Sequence, residues 1–363
     1  MEINKIDKNF LSQDLSGEEE IIWKNVLEEP FSLEGLAWRK ENQNPFYRTP
    51  ERMGERLPEG MRELSHHTAG CCVRFRSDSP VIRLKAELEY SCDMNHMPRC
   101  GSAGFDSYSR IEGEKGNFVF NTAMPPAPGL KLLEGVCGQN SEGEKREWIL
   151  NLPLYGGVKS LMLGFEKGSG LFPPLPHKVE KPILFYGSSI TQGACASRPG
   201  NAYSSFLCRK VDAPQINLGF SGSARGELFM AEMISELDLD CFVFDYDYNA
   251  VSPEELESTH EKFFRYIRNC HKELPVIFLS RCSKGRQSHE ERLHRNEIIK
   301  RTYENALASG DKNVYFIEGR TLFEGEEPDA CTIDGCHPTD LGFFRMYQKI
   351  LPILKKALKK EEE

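Results

Sequence analysis

Two textures of apolar and polar residues divide the chain. Up to about residue 178 the apolar positions come in short alternating runs: Val73-Arg74-Phe75-Arg76, Val81 through Tyr90, Phe118-Val119-Phe120, Glu147 through Leu152, and Val158 through Phe165. A period of two is what a half-buried strand requires, and Ser77-Asp78-Ser79-Pro80 between the first two runs is turn chemistry. Helix signals are sparse there, so this half predicts an antiparallel β-sandwich. Gly170, Pro173, Pro174, Pro176 and Pro182 then mark a linker. Beyond it the apolar runs are continuous, as in strands buried on both faces: Ile183 to Tyr186, Ile216 to Leu218, Cys241 to Phe244, Val276 to Leu279 and Val314 to Ile317.

Helical patterns separate these runs. Ser252 can N-cap a helix with Pro253 at its first position and Glu255 placed for a capping box, burying Leu256, Phe263, Phe264 and Ile267. Residues 288–309 form a charged amphipathic helix. Thr339 opens a last one, whose stripe reads Leu341, Phe344, Leu351, Leu354 and Leu358. Strand and helix alternation predicts an α/β domain with a mainly parallel five-stranded sheet covered on both faces. The expected division is 1–178 and 179–363. No internal repeat is visible, and the lysine and glutamate run from Lys355 to Glu363 reads as a solvated helix end.

Composition narrows the function. A length of 363 residues suits two domains, and 39% hydrophobic with 28% charged residues is ordinary for globular proteins. The 46 basic and 55 acidic side chains leave a net charge of −9, which argues against a nucleic-acid partner. No apolar run approaches the ~20 residues that span a bilayer, so no membrane partner is expected. Met1 to Asp7 lacks a basic segment followed by an apolar core; the reading is a cytoplasmic protein. The twelve cysteines are scattered and suggest reduced thiols. Cys331, Cys336 and His337 share one loop, but without a second ligand pair they are not assigned a metal.

The candidate chemistry starts where the first continuous run stops, in Phe185-Tyr186-Gly187-Ser188-Ser189-Ile190-Thr191-Gln192-Gly193. A tight turn after a strand lifts a serine above the carboxyl edge of the sheet, where ligands of open α/β sheets bind. Serine becomes a nucleophile only beside a base and near donors for the developing oxyanion. Asp334-Gly335-Cys336-His337 supplies a base and a carboxylate to orient it. Gly222, in a glycine-serine turn after one strand, and Asn249, past the end of another, supply candidate N–H donors. Each has a plainer competing role: a capping serine, a surface histidine, a turn glycine, a loop-capping asparagine. Arg281, ending the fourth strand, is expected to face water.

Taken in order, these residues resemble the SGNH (GDSL-type) hydrolases, whose four blocks carry a serine, a glycine, an asparagine and an Asp-x-x-His pair. The resemblance covers roughly residues 181–360 and implies a flavodoxin-like three-layer domain. It assigns Ser189 as nucleophile, Asp334 and His337 as its partners, and Ser189, Gly222 and Asn249 as the oxyanion hole. Gly104-Phe105-Asp106-Ser107-Tyr108 is similar to the Gly-x-Asp-Leu-Tyr signature of two-domain members with a jelly-roll N-terminal domain, among them carbohydrate-ester deacetylases. Asp106 and Tyr108 then either reach the cleft or serve the sandwich. Two positions depart from the family pattern: Ser188 stands where an aspartate is usual, and the third block reads Asp247-Tyr248-Asn249. The resemblance implies a serine esterase removing a small acyl group, acetyl above all, from a carbohydrate-like substrate, with no cofactor. A lipid acyl esterase, a glycan-binding protein and a degenerate hydrolase are the alternatives, and oligomeric state is left open.

Overall fold

The computed structural model describes residue 6 and residues 20–114, 116–282 and 287–359. Most of the amino-terminal segment and the end of the terminal lysine-glutamate run lie outside the described residues. The first strands in chain order are β1 (Ile21–Asn25), β2 (Ser32–Glu34), β3 (Cys72–Ser77), β4 (Val81–Leu88) and β5 (Phe105–Ile111). They are followed by β6 (Val119–Met124), β7 (Leu132–Gln139), β8 (Arg146–Asn151), β9 (Val158–Glu166) and β10 (Leu171–Phe172). Helices α1 (Glu59–Ser65) and α2 (Arg99–Ser102) interrupt them.

All the pairings are antiparallel, in two sheets ordered β1-β9-β4-β7 and β10-β3-β8-β5-β6, with β2 beside β3. Along β4 the inward Ile82, Leu84, Ala86 and Leu88 are buried, as period-two alternation demands. They meet Phe75, Trp148, Leu150, Leu163 and Phe165 in a sandwich core. The alternating runs marked β3, β4, β6, β8 and β9. The short β1, β2 and β10 and the glycine-containing β7 lacked a distinctive pattern, and α1 and α2 are short, in keeping with the sparse helix signals of this half.

The second sheet is built from β11 (Ile183–Gly187), β12 (Gln215–Gly219), β13 (Cys241–Asp245), β14 (Val276–Leu279) and β15 (Val314–Ile317). Its five strands are all parallel, ordered β12-β11-β13-β14-β15. Helices α3 (Ser189–Gln192), α4 (Tyr203–Val211), α5 (Leu228–Ile234), α6 (Pro253–Cys270), α7 (His289–Ala308) and α8 (Asp340–Ala357) accompany it. One face packs Tyr186, Leu218, Phe244 and Phe278 against Met230, Phe263 and Ile298. The other packs Phe185, Val243 and Ile277 against Tyr203, Leu207, Phe343 and Ile350. This is the three-layer α/β arrangement.

Two features depart from the sequence reading. In α8 the buried stripe is Phe343, Met346, Ile350, Leu354 and Ala357, while Leu341 and Phe344 are exposed; of the expected stripe only Leu354 is fully buried. The helix is turned because its tightest burial follows Phe343, whose ring stacks on Tyr203. Second, Trp38, Met53, Leu57 and Met61 join the core against Leu184 and Leu218. The segment between β2 and β3 therefore helps cover the parallel sheet.

Candidate active site

The register of the parallel sheet assembles the site. Gly187 at the end of β11 pairs with Gly219 on β12 and Asp245 on β13, so three strands stop side by side. The turns after them carry Ser189, Gly222 and Asn249. Gly187 is needed for close approach rather than for a bend. A Cβ there would meet Thr191 Oγ1 at 2.1 Å and the Asp245 carbonyl oxygen at 2.2 Å. Gly222 has φ +65°, a left-handed conformation that glycine adopts without steric cost.

Ser189 is the first residue of α3, directly after its N-cap. Ser188 Oγ accepts from the Ile190 N–H at 3.2 Å, and the Ser188 N–H donates to Thr191 Oγ1 at 3.2 Å. Ser188 thus caps the helix, work open to serine and aspartate alike. Ser189 Oγ lies 2.9 Å from His337 Nε2, and His337 Nδ1 lies 2.7 Å from Asp334 Oδ2. Asp334 Oδ1 also accepts from the N–H groups of Cys336 at 2.9 Å and His337 at 2.8 Å. Partial burial raises the Asp334 pKa, but the bonds from the His337 ring and from these N–H groups outweigh it and hold the carboxyl at about 2. An ionised carboxylate only accepts, so the shared proton sits on Nδ1 and Nε2 is free to accept from Ser189.

Gly222 and Asn249 are brought together. The Gly222 N–H donates to Asn249 Oδ1 at 3.0 Å, and Asn249 Nδ2 donates to the Phe220 carbonyl at 2.8 Å. An amide carries two hydrogens on nitrogen, so one Asn249 donor is left beyond the bond to Phe220. The Gly222 N–H is spent on Asn249 in this geometry.

The unusual third block has its own support. Asp247 is buried, and its Oδ1 accepts from Arg295 at 3.1 Å while its Oδ2 accepts from the Arg281 N–H at 3.1 Å. Arg295 also donates to the carbonyls of Asp247 at 3.2 Å and Ala250 at 3.0 Å, bracketing Asn249 from both sides. Arg281 is only 6% exposed, contrary to the expectation of a solvent-facing side chain. Its guanidinium lies 4.5 Å over the Tyr248 ring and donates to the Asp247 carbonyl at 3.2 Å. A charge at the end of a buried strand turned inward because Asp247 awaits it there.

Gln192 ties the first turn to the second: its Oε1 accepts from Ser221 N at 3.1 Å and Ser221 Oγ at 3.0 Å. Its Nε2 donates to His67 Nδ1 at 3.2 Å. Burial, with Arg48 and His66 nearby, pushes His67 down to about 3, so that ring is neutral and able to accept. Beneath them Asp245 Oδ2 accepts from Tyr203 at 2.9 Å and Thr191 at 3.0 Å, and burial pushes its carboxyl up to about 7.

Asp106 and Tyr108 neither enter the Ser189 site nor serve the sandwich alone. Asp106 accepts from Arg198 at 2.9 Å, from the Gly200 N–H at 3.0 Å and from Asn151 at 2.8 Å, and Tyr108 also bonds Arg198. They join β5 to the loop leading into α4. From the other half, His96 approaches the site, its ring centroid 5.8 Å from that of His337. One ligand atom from each of His96, Cys195 and His337 lies within 4.8 Å of the others. Cys331 is elsewhere, buried and accepting from Arg345 at 3.2 Å. A separate cavity of about 630 Å³, walled by Arg281, Arg292, Arg320 and Phe323, borders the histidine loop at Thr332 and Gly335. None of the described cysteines is joined in a disulfide, and no described helix is long and apolar enough to cross a membrane.

Residues 180–355 match the model of the GDSL-like lipase/acylhydrolase family, and residues 21–171 match that of the N-terminus of SGNH-hydrolase-type esterases. A GDSL-like lipase from Bacteroides ovatus is 30% identical, covers 95% of this chain and 100% of its own, and superposes with a TM-score of 0.83. A salicylyl-acyltransferase from a tetracycline biosynthetic pathway shares the fold at TM-score 0.69 and 16% identity, over 93% of this chain and 99% of its own. An acetyl xylan esterase from Butyrivibrio proteoclasticus does so at 0.58 and 12%, again over 93% and 99%. None of the curated proteins compared with the chain matches it. Fold and relationships define the class: a hydrolase of carboxylic esters with a three-layer catalytic domain behind a β-sandwich. Within that class, the chain belongs to the GDSL-like lipase/acylhydrolase family, in its SGNH-type, two-domain form.

Proposed function

We propose that this chain is a serine esterase that removes a small acyl group, acetyl above all, from a hydroxyl of a carbohydrate-like substrate. The observation that carries the proposal is the relay from Ser189 Oγ to His337 Nε2 at 2.9 Å and from His337 Nδ1 to Asp334 at 2.7 Å. Ser189 attacks the ester carbonyl as His337 takes its proton, and Asp334 stabilises the imidazolium. His337 then protonates the leaving alcohol, and a water activated by the same nitrogen releases the acid.

The oxyanion is received by the Ser189 N–H, at the start of α3, and by the remaining Asn249 amide hydrogen. Gly222 joins them by sharing or releasing its bond to Asn249. A carbohydrate acceptor is supported by the acetyl xylan esterase, whose fold this chain shares over nearly its whole length. No step calls on a metal or organic cofactor.

A screen of acetylated sugars with acetyl, butyryl and octanoyl esters, run beside Ser189→Ala, tests the proposal. Activity should be highest on acetyl esters and fall by on the order of a millionfold in Ser189→Ala. Retained turnover in that variant rejects the mechanism, and a preference for octanoyl esters rejects the small-acyl reading.

A further inference from the structure

His96 and Cys195 have no part in the relay, yet both stand beside it. His96 is exposed, in the turn between β4 and α2. That turn is fixed in place: its neighbour Met97 is buried in the same core cluster as Cys195 and Ala196. A Cβ on Gly101 in α2 would meet the Ala196 carbonyl oxygen at 2.0 Å, so the two segments lie in close contact. Cys195 is buried and holds φ +72°, where a side chain other than glycine, asparagine or aspartate is uncommon. A cysteine is thus placed in a left-handed turn with its sulfur toward two imidazoles.

We propose that His96, Cys195 and His337 bind a thiophilic divalent cation of the zinc type, and that occupancy switches off ester hydrolysis by taking the Nε2 lone pair that accepts the Ser189 proton. The switch rests on the proposed Ser189 relay; the cation site does not.

The geometry and chemistry agree. In a tetrahedral zinc site, nitrogen and sulfur ligands are separated by about 3.3–3.6 Å, given metal–ligand bonds of about 2.0–2.3 Å. The ligand atoms lie within 4.8 Å of one another, so closing to those separations takes a contraction of no more than about 1.5 Å, part of which the exposed His96 ring can take up. His337 is already oriented for it. Its Nδ1 is bonded to Asp334 at 2.7 Å, which completes the carboxylate–histidine–metal arrangement that fixes tautomer and ring direction. One sulfur and two imidazole nitrogens select zinc or cobalt over magnesium or calcium, which require oxygen ligands. On binding, the Cys195 thiol loses its proton to solvent and a sulfur–metal bond forms. The two imidazoles bind neutral, the Ser189 hydroxyl loses its acceptor, and a water or that hydroxyl fills the fourth position.

The test uses the full chain, titrated with Co²⁺ and followed by the near-ultraviolet thiolate-to-cobalt absorption. Ester hydrolysis is measured in parallel with Zn²⁺ and then EDTA. Wild type and Ser189→Ala are both expected to take up one Co²⁺ with the thiolate band. His96→Ala should weaken binding at least about tenfold, and Cys195→Ser should lose the band. Hydrolysis should fall with Zn²⁺ occupancy, recover with EDTA, and need at least about tenfold more Zn²⁺ in His96→Ala. Absence of the band in wild type overturns the site. So does a band unchanged in His96→Ala, the variant on an exposed turn, or in Cys195→Ser, because the cation then sits on other thiols. Binding as expected without loss of activity overturns the switch. Failure of the esterase reading shows separately, as turnover retained in Ser189→Ala, and leaves the cobalt titration readable.

Discussion

Asn249 does two things at once: its Oδ1 holds the Gly222 N–H at 3.0 Å, and its Nδ2 keeps a hydrogen beyond its bond to Phe220. Asn249→Ala should therefore lower kcat by about 10²- to 10³-fold with little change in KM, since an oxyanion donor acts mainly in the transition state. Steady-state kinetics on an acetate ester checks this; an unchanged kcat removes Asn249 from the oxyanion hole. Asp245 gives a stability prediction. Its carboxyl is raised from 3.8 to about 7 by burial, so the folded chain keeps a proton that the unfolded chain releases. That contribution is complete below about pH 4 and is lost as pH rises through about 7. Asp245→Asn, which stays neutral, should flatten this fall, gaining on the order of 2–4 kcal/mol relative to wild type between pH 4 and pH 8. Urea unfolding of both proteins across that range reads the difference directly. Of these residues the sequence marked Asn249 by its place after a strand, while nothing local marked Asp245, whose partners come from α3 and α4.

Among the elements, the clearest dependence is of the β12 turn on an arginine far upstream. Arg48 is fully buried, and donates to the carbonyls of His67 at 2.7 Å, Leu64 at 2.7 Å, Asn217 at 2.8 Å and Gly219 at 2.9 Å. Its guanidinium lies 4.6 Å over the Phe220 ring. Arg48→Met keeps most of the volume but leaves these carbonyls without their donor, and should destabilise the fold by about 3 kcal/mol or more. A shift of the urea midpoint at unchanged slope measures it. Sequence patterning is blind to such a pin, because an isolated arginine in a loop reads as solvated. Arg295 was not marked either, although it lies on the same stripe of α7 as the buried Ile298, Ile299, Thr302 and Ala306. A charge on an apolar stripe asks for a buried partner, and Asp247 is that partner. The α6 N-cap was read correctly, with Ser252 accepting from Glu255 N at 3.3 Å, because capping is local chemistry; the expected capping box is not closed, since the Glu255 carboxylate accepts from Val251 N at 2.6 Å instead.

At the scale of the molecule, the sandwich holds one wall of the site in place. Asp106 on β5 grips Arg198 and Gly200, and Ser197 beside them bonds Asp340 at the start of α8, just after the histidine loop. Asp106→Ala leaves the Arg198 charge and the Gly200 N–H without their carboxylate. It should cost about 3–5 kcal/mol of stability and lower kcat as well, because the segment from Ser197 to Gly200, which is tied to the histidine loop through Asp340, loses its anchor. Thermal unfolding and turnover on the same preparations would show both effects; a loss of stability with full turnover would separate the clamp from the site. By itself the sequence determined what periodicity and local hydrogen bonding encode: the two textures, the five parallel strands, the helix caps, and the turns that bear Ser189, Gly222, Asn249 and His337. Only the tertiary structure decided what depends on contacts between distant segments. It turned Arg281 inward, rotated the α8 stripe, set Arg48 beneath β12 and brought His96 to the histidine loop. A side chain's neighbours along the chain fix its local conformation, but the partner that satisfies its charge can come from any part of the fold.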